Sequence, residues 1–502
     1  MKSISRSTKS VRLVILSSFL LLAACFGQTI KLSANSGPPT THITVSGSNF
    51  PANTAVDIYF DTSDLALAST DGTGAFSKIS IQVASTALPG THAVTGVSRS
   101  NQASGQAPFT VATNWAQFGF TPNNQRSNPY ENVLTPANVG GLDLNWVFSN
   151  GSILSSPTAA QGNVYVGSFD GNLYAVNATT GAKVWSFATG GNIYCTPAFA
   201  QGNVYFGSYD GNVYAVNAKT GALVWSYPTG IAVQNSPTVA NGVVYIAANF
   251  SNLLALNATT GALLWSFGAS GSIAGQVALA DGLVYLNSGT NLYAINPSNG
   301  STVWTGGISG GLLGTPVVSQ GIVFFDWQTD FAFAALNAFN GNNIWLGNFT
   351  ANSFSASNGV LYTVSENIVA ANNARSGGTN IWAFMAGATV NSTPAIANGV
   401  VYVGSDDANL YALDAATGNF LWSFNTGGAI DTSPVVANGV VFAVPGDGNL
   451  YAFGLPNGPR WKGTAPSPST LHPDLSLKVT QTSEPEPQSS QRDQAQPTQI
   501  LD

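Results

Sequence analysis

DGNLYAVNATTGAKVW occupies Asp170–Trp185, and DGNVYAVNAKTGALVW returns at Asp210–Trp225. SNLLALNATTGALLW runs from Ser251 to Trp265, and NLYALDAATGNFLW ends at Trp422. Working outward from these copies, tryptophans fall at 146, 185, 225, 265, 304, 345, 382, 422 and 461, a spacing close to 40 throughout. Each period holds four short runs of strand character separated by turn residues. In the second period they are YCTPAFA, NVYFGSY, NVYAVNA and ALVWSYP. Four antiparallel strands per period of about 40 residues is the pattern of a β-propeller blade.

The first strands of the periods can be counted without the tryptophans. They fall at 155–160, 195–200, 235–240, 275–280, 314–319, 354–359, 392–397 and 432–437. The expected fold is therefore all-β, with an eight-bladed propeller over 142–462. LDLNWVFS, at 142–149, precedes the first complete blade. It can supply an outer strand to the last blade and so hide the edges an open array would expose.

Asp170-Gly171 and Asp210-Gly211 stand between the second and third strands, where two-residue hairpins favour Asp-Gly because of its tolerance of positive φ. Thr180-Gly181 and Thr220-Gly221 make the next turn. Trp146, Trp185, Trp225, Trp265, Trp304, Trp345, Trp382 and Trp422 are expected to wedge between neighbouring blades, each burying a large rigid surface. On this reading the repeated phrase builds the fold and does not bind.

A-x-N/D-x-x-T-G-x-x-x-W resembles the tryptophan-docking motif of the pyrroloquinoline quinone (PQQ) type repeat. Ala175/Asn177/Thr180/Gly181/Trp185, Ala215/Asn217/Thr220/Gly221/Trp225, Ala255/Asn257/Thr260/Gly261/Trp265 and Ala412/Asp414/Thr417/Gly418/Trp422 match it fully. Asn299-Gly300 and Asn340-Gly341 keep a partial form, and NIVAANNARSGGTNIW is out of register. The lead-in WAQFGFTPNNQRSNPYENVLTPANVGGLDLNW also looks like the leader of such propellers, here at 113–141. The resemblance covers 114–462 and implies two kinds of protein: quinoprotein dehydrogenases and BamB-like outer-membrane assembly lipoproteins. A shared fold does not choose between them.

The residues outside the repeat add three expectations. Lys2, Arg6, Lys9 and Arg12 precede the apolar run Leu13–Ala24, which is too short for a membrane span of about 20 residues. It reads as an export signal over 1–24. Leu22-Ala23-Ala24-Cys25 looks like a lipobox, with Cys25 as the lipidated residue and a lipid anchor as the only membrane attachment. Residues 29–112, with SGPPTTHITVSGSNFPANTAVDIYFD and later Pro/Gly turns, suggest a small β-sandwich resembling bacterial immunoglobulin-like modules. The segment 463–502 is rich in Pro, Ser, Gln and Glu and reads as a disordered tail.

Composition narrows the chemistry. Net charge is −7, so no basic footprint invites nucleic acid. The histidines are His42, His92 and His472, none of them in the repeats, which excludes a His-dependent triad or multi-His metal site there. Cys195, in the apolar NIYCTPAF, reads as a buried small hydrophobe. A quinoprotein would, as the resemblance implies, use calcium, an Asp base, a stacking Trp and usually adjacent cysteines. Glu131 and Glu366 are the only glutamates of the repeat region and no Cys-Cys pair exists.

The expected function is thus a non-catalytic binding scaffold at the cell envelope, exported and lipid-anchored, with proteins or polysaccharide as partners and no cofactor. The alternative is a PQQ-dependent oxidoreductase with calcium. Candidate ligand-face residues are Asp326, Trp327, Gln328 and Asp330 in DWQTDFA, where Trp327 lies outside the repeat register, and Asp406 and Asp407 in SDDAN. An exposed aromatic beside carboxylates can stack on a sugar or clamp a peptide; the other reading of Trp327 is that it plugs the channel or packs under a longer loop.

Overall fold

The computed structural model describes residues 27–458, apart from 151, 249, 274, 308–311, 328–331, 348 and 350. The expected export signal, Cys25, Trp461 and the tail lie outside the described residues. So do Gln328, Asp330 and the side chain of Trp327. The described residues are all-β, with one 3-10 turn at Val139–Gly141. None of their helices is long and apolar enough to cross a membrane.

Two sheets form the N-terminal part. One contains Thr29–Leu32, His42–Ser48 and Phe76–Gln82. The other contains Ser36–Gly37, Ser104–Val111, Gly90–Ser98, Ala55–Phe60 and Ser63–Ser69. Alternating inward residues from both, among them Val45, Ile81, Val56, Val94 and Phe109, make one shared core.

From Asp143 onward the chain builds a β-propeller of small four-stranded antiparallel sheets. The first holds Thr158–Ala160, Asn163–Gly167, Asn172–Asn177 and Lys183–Ala188, each strand paired with the next. The last sheet takes its outer strand from far upstream: Asp143–Phe148 pairs antiparallel with Leu450–Gly454. The two ends of the propeller segment are thereby joined within one sheet.

The turns follow from backbone sterics. First-to-second turns place two consecutive residues at positive φ, as in Gln161-Gly162, Asn241-Gly242 and Asn438-Gly439. That is the two-residue hairpin geometry whose twist matches the strands. The Asp-Gly turns differ from expectation. Only the glycine has positive φ (Gly171, +81°), and Ser168 and Asn172 close a three-residue loop over Phe169, Asp170 and Gly171. The reason lies in the Asp side chain. Asp170 Oδ1 accepts the Asn172 N–H at 2.9 Å and Oδ2 accepts the Tyr174 hydroxyl at 2.6 Å. Asp210, Asp407 and Asp447 hold Tyr214, Tyr411 and Tyr451 in the same way.

The eight docking indoles all donate to a carbonyl of the next sheet. Trp146, Trp185 and Trp225 reach the Ala178, Ala218 and Ala258 oxygens, and Trp265 reaches Pro297. Trp304, Trp345 and Trp382 reach Ala338, Ala374 and Ala415. Trp422 reaches Leu142, just before the borrowed strand, at 3.0 Å. Several acceptors use both lone pairs, since Tyr165 also donates to Ala218 and Tyr205 to Ala258. The Thr-Gly glycine serves twice. Gly181 has φ of +70°, and a Cβ there would sit 2.8 Å from the Trp146 ring. Gly221, Gly261 and Gly418 meet Trp185, Trp225 and Trp382 alike. Asn177 steadies this turn by accepting the Thr179 and Thr180 N–H groups.

Cys195 occupies the place of Ser155 and Ser392 in other sheets. Those hydroxyls accept the Gly167 and Gly404 N–H groups. The Cys195 sulfur takes the Gly207 N–H at 3.2 Å, and burial pushes its thiol up to about 12. It is therefore an inert structural thiol rather than a nucleophile.

Candidate functional site

The leader gives the propeller two unlike ends. It passes the innermost strands one after another and satisfies their edge groups. The Ala159 and Phe199 N–H groups donate to the Trp115 and Ala116 carbonyls, and Val239 N–H to Gln117 Oε1. Leu279, Val318, Ala356 and Ile396 N–H then donate to the Pro122, Asn123, Gln125 and Arg126 carbonyls. Asn128 Nδ2 finally donates to the Val436 carbonyl. These are first strands of eight successive sheets, met in chain order.

Arg126 pins the lace. Its guanidinium is fully buried and donates to the carbonyls of Phe118, Pro394 and Pro434, with Trp115 and Phe118 rings against it at 5.2 and 4.4 Å. Burial lowers it to about 9, which still leaves it charged near neutrality. Glu131, also buried, accepts N–H groups of Val133, Leu134 and Gly439; burial raises it, and those hydrogen bonds oppose the rise.

The leader meets the first-to-second turns, through Asn114 with Gln161 and Leu134 with Asn398. Asn132 continues to the N-terminal sheets through the carbonyls of Ser85 and Ala87. An open cleft of about 560 Å³ lies there, lined by Pro38, Asn114, Phe120 and Tyr130. Because strands alternate in direction, the second-to-third turns emerge at the opposite end.

That opposite end carries exposed aromatics. Tyr194 sits 4.6 Å from Phe169 on one side and 4.6 Å from Tyr209 on the other. Phe169, Tyr209 and, one sheet on, Phe250 at 66 % exposure stand open to solvent. Asn150 Nδ2 reaches Asp170 Oδ2 beside this row. Sequence reading passed over the row, since SFDG and SYDG look like plain turns. The signal it left was an aromatic at the same turn position in two consecutive repeats, with Phe250 one place further along in the third.

The acidic candidates separate. Asp407 is spent on the Tyr411 hydroxyl and on the Gly387 and Asn409 N–H groups. Burial pushes its carboxyl up, and these hydrogen bonds outweigh it and hold it low. Asp406 shares the Asn391 amide with Asp431; partial burial and that second carboxyl raise it.

Asp326 lies inside. It is 6 % exposed, and its Oδ1 has no hydrogen-bond partner. Burial raises it to about 7. It lines a cavity of about 110 Å³ together with Phe118 and Asn124 of the leader and with Thr315, Ser353 and Thr393. Asp326 pairs across its hairpin with Phe333, and Trp327 with Ala332. The described residues do not bring Asp326 together with Asp406 and Asp407.

The Asp326 cavity does not fit a quinone with calcium: organic cofactor pockets run to roughly 300 Å³ or more, against about 110 Å³ there. Among the described residues no group of three His, Cys, Asp or Glu could hold a metal ion.

A family profile described as outer membrane protein assembly factor BamB matches residues 143–194, 170–275, 249–375 and 364–470, together more than half of the chain. No curated protein matches. Solved structures do. Quinohemoprotein alcohol dehydrogenase from Comamonas testosteroni shares 16% identity, covering 70% of this chain and 82% of that one, at a TM-score of 0.59. BamB from Moraxella catarrhalis shares 18%, covering 62% and 99%, at 0.54. The computationally designed Ika8 protein shares 16%, covering 62% and 100%, at 0.56. An oxidoreductase, an assembly factor and a design share this architecture, so the likeness speaks for fold alone.

Proposed function

The chain belongs to the family described as outer membrane protein assembly factor BamB, and from that premise we propose a non-catalytic scaffold of the cell envelope. Its eight four-stranded sheets are eight blades of one closed ring. The N-terminal two-sheet unit is an immunoglobulin-like spacer, and residues 1–24 with a lipidated Cys25 deliver and anchor the protein.

The observation that carries this reading is the unlikeness of the two ends. One end is laced shut by 113–128. The other presents the Phe169–Tyr194–Tyr209 row beside Asp170. Aromatic faces stack on the C–H faces of pyranose rings, and adjacent carboxylate and amide groups hydrogen-bond their hydroxyls. Envelope polysaccharide suits that surface, with envelope proteins as the other partner class.

Retention of the purified chain on peptidoglycan sacculi and on immobilised outer-membrane proteins tests the proposal. Replacing Phe169 and Tyr209 together by alanine is expected to weaken retention by about tenfold or more, the worth of two lost anchor residues. Unchanged retention on both supports removes this face. Dye reduction with alcohols or sugars after addition of PQQ and Ca²⁺ would instead establish the oxidoreductase alternative.

A further inference from the structure

We infer that the Asp326 cavity is a binding site for a small primary ammonium group. The inference accepts that the end opposite the leader receives ligands, but its chemistry stands on the cavity alone.

Two of the polar lining groups, Asn124 and Ser353, have already spent donors inside the protein. Asn124 gives its amide hydrogens to the carbonyls of Val277 and Pro316. Ser353 gives its hydroxyl hydrogen to the Ser392 carbonyl. Beside Thr315, Thr393 and Asn352, the cavity offers an occupant two acceptors: the bare Asp326 Oδ1 and the lone pairs of Ser353 Oγ. Phe118 and Phe354 supply ring carbons to the wall. A buried acceptor without a partner costs free energy that an occupant with hydrogens to give would recover.

Charge and size select among such occupants. The site carries a single carboxylate, and no other titratable side chain lines it. Arg126 on the leader is turned to its three carbonyls. A divalent cation asks for six to eight oxygens, usually with several carboxylates among them. One negative charge matches one positive charge. An ammonium head has three donors and no acceptor, and it is also attracted to aromatic faces. At about 30 Å³ for each water, a cavity of about 110 Å³ holds roughly three or four water-sized groups. That is room for methylammonium or the head of a longer amine. Gly314 guards the space, since a Cβ there would lie 3.0 Å from Asp326 Oδ1.

Thermal melts and calorimetric titration of the full chain with methylammonium chloride, against equal NaCl and CaCl₂, test the site. Methylammonium is expected to raise the midpoint at about pH 8, where Asp326 is ionised, and to bind at least about tenfold more weakly at about pH 5. The shift should vanish in Asp326→Asn and shrink in Ser353→Ala, whose carboxylate is intact. Three results overturn the assignment: equal midpoints in methylammonium and NaCl, which leaves a water-filled cavity; a shift that survives Asp326→Asn; or stabilisation by Ca²⁺ alone. Failure of the scaffold reading shows instead as unchanged retention of the Phe169/Tyr209 variant, which these titrations do not touch.

Discussion

At Asp326 the chain keeps a carboxyl where the surrounding wall keeps hydroxyls, amides and ring carbons. In the unfolded chain it titrates at its ordinary value of 3.8; in the fold, burial holds it near about 7. A raised carboxyl favours the protonated folded state. Its contribution is complete below the unfolded value and is lost as pH rises from about 4 to about 7. At about 1.36 kcal/mol for each pH unit, the interval from 3.8 to about 7 is worth at most about 4 kcal/mol. Asp326→Asn stays neutral throughout. Its urea midpoint should therefore match the parent at about pH 4 and exceed it at about pH 8 in the absence of amines. A gain of equal size at both pH values would mean that charge is not the cause. The sequence showed Asp326 as an acid beside an aromatic that could clamp a ligand or pack into the channel. Its burial is a tertiary fact: it depends on Phe118 and Asn124, about 200 positions upstream, closing over it.

At the scale of elements, the repeat was legible, and so was the presence of a leader, but not the path the leader takes. Strands, turns and docking indoles recur every 40 or so residues, so each copy checks the others. Thr-Gly was readable as a turn, but its second duty as a seat for the neighbouring indole was not, because that ring arrives from the preceding sheet. The leader offers no period. It makes about one contact for each sheet, with backbone carbonyls, Gln117 and Asn128 sharing the task. Nothing in WAQFGFTPNNQRSN announces that, except an arginine among aromatics. Arg126→Met tests how much the lace contributes. It comes close in volume but leaves the Pro394 and Pro434 carbonyls without the guanidinium donor, while Phe118 keeps only the Trp115 indole N–H. A loss of about 2–3 kcal/mol is expected from denaturant unfolding. Faster exchange of the Ala159, Leu279 and Ile396 amides should accompany it. A variant as stable as the parent, with those amides still protected, would show that the leader merely lies on the ring.

For the whole molecule the question is whether the ring behaves as closed. The borrowed strand Asp143–Phe148 makes the last sheet depend on residues from the start of the propeller. Trp422 adds a second tie there, donating to the Leu142 carbonyl. In a linear array, end units have one neighbour and fray first. In a closed ring every interface is internal, so the joint should be no weaker than any other. Trp225, docked on Ala258 in mid-chain, is the comparison. Both indoles are buried to a similar degree. Trp225→Ala and Trp422→Ala should each cost about 3–5 kcal/mol, and each variant should still unfold in one transition seen alike by fluorescence and circular dichroism. An open array would give a smaller loss at Trp422 and an early separate transition. That outcome would leave the individual sheets and their docking motif intact while removing the closure on which two distinct ends, one laced and one receptive, depend.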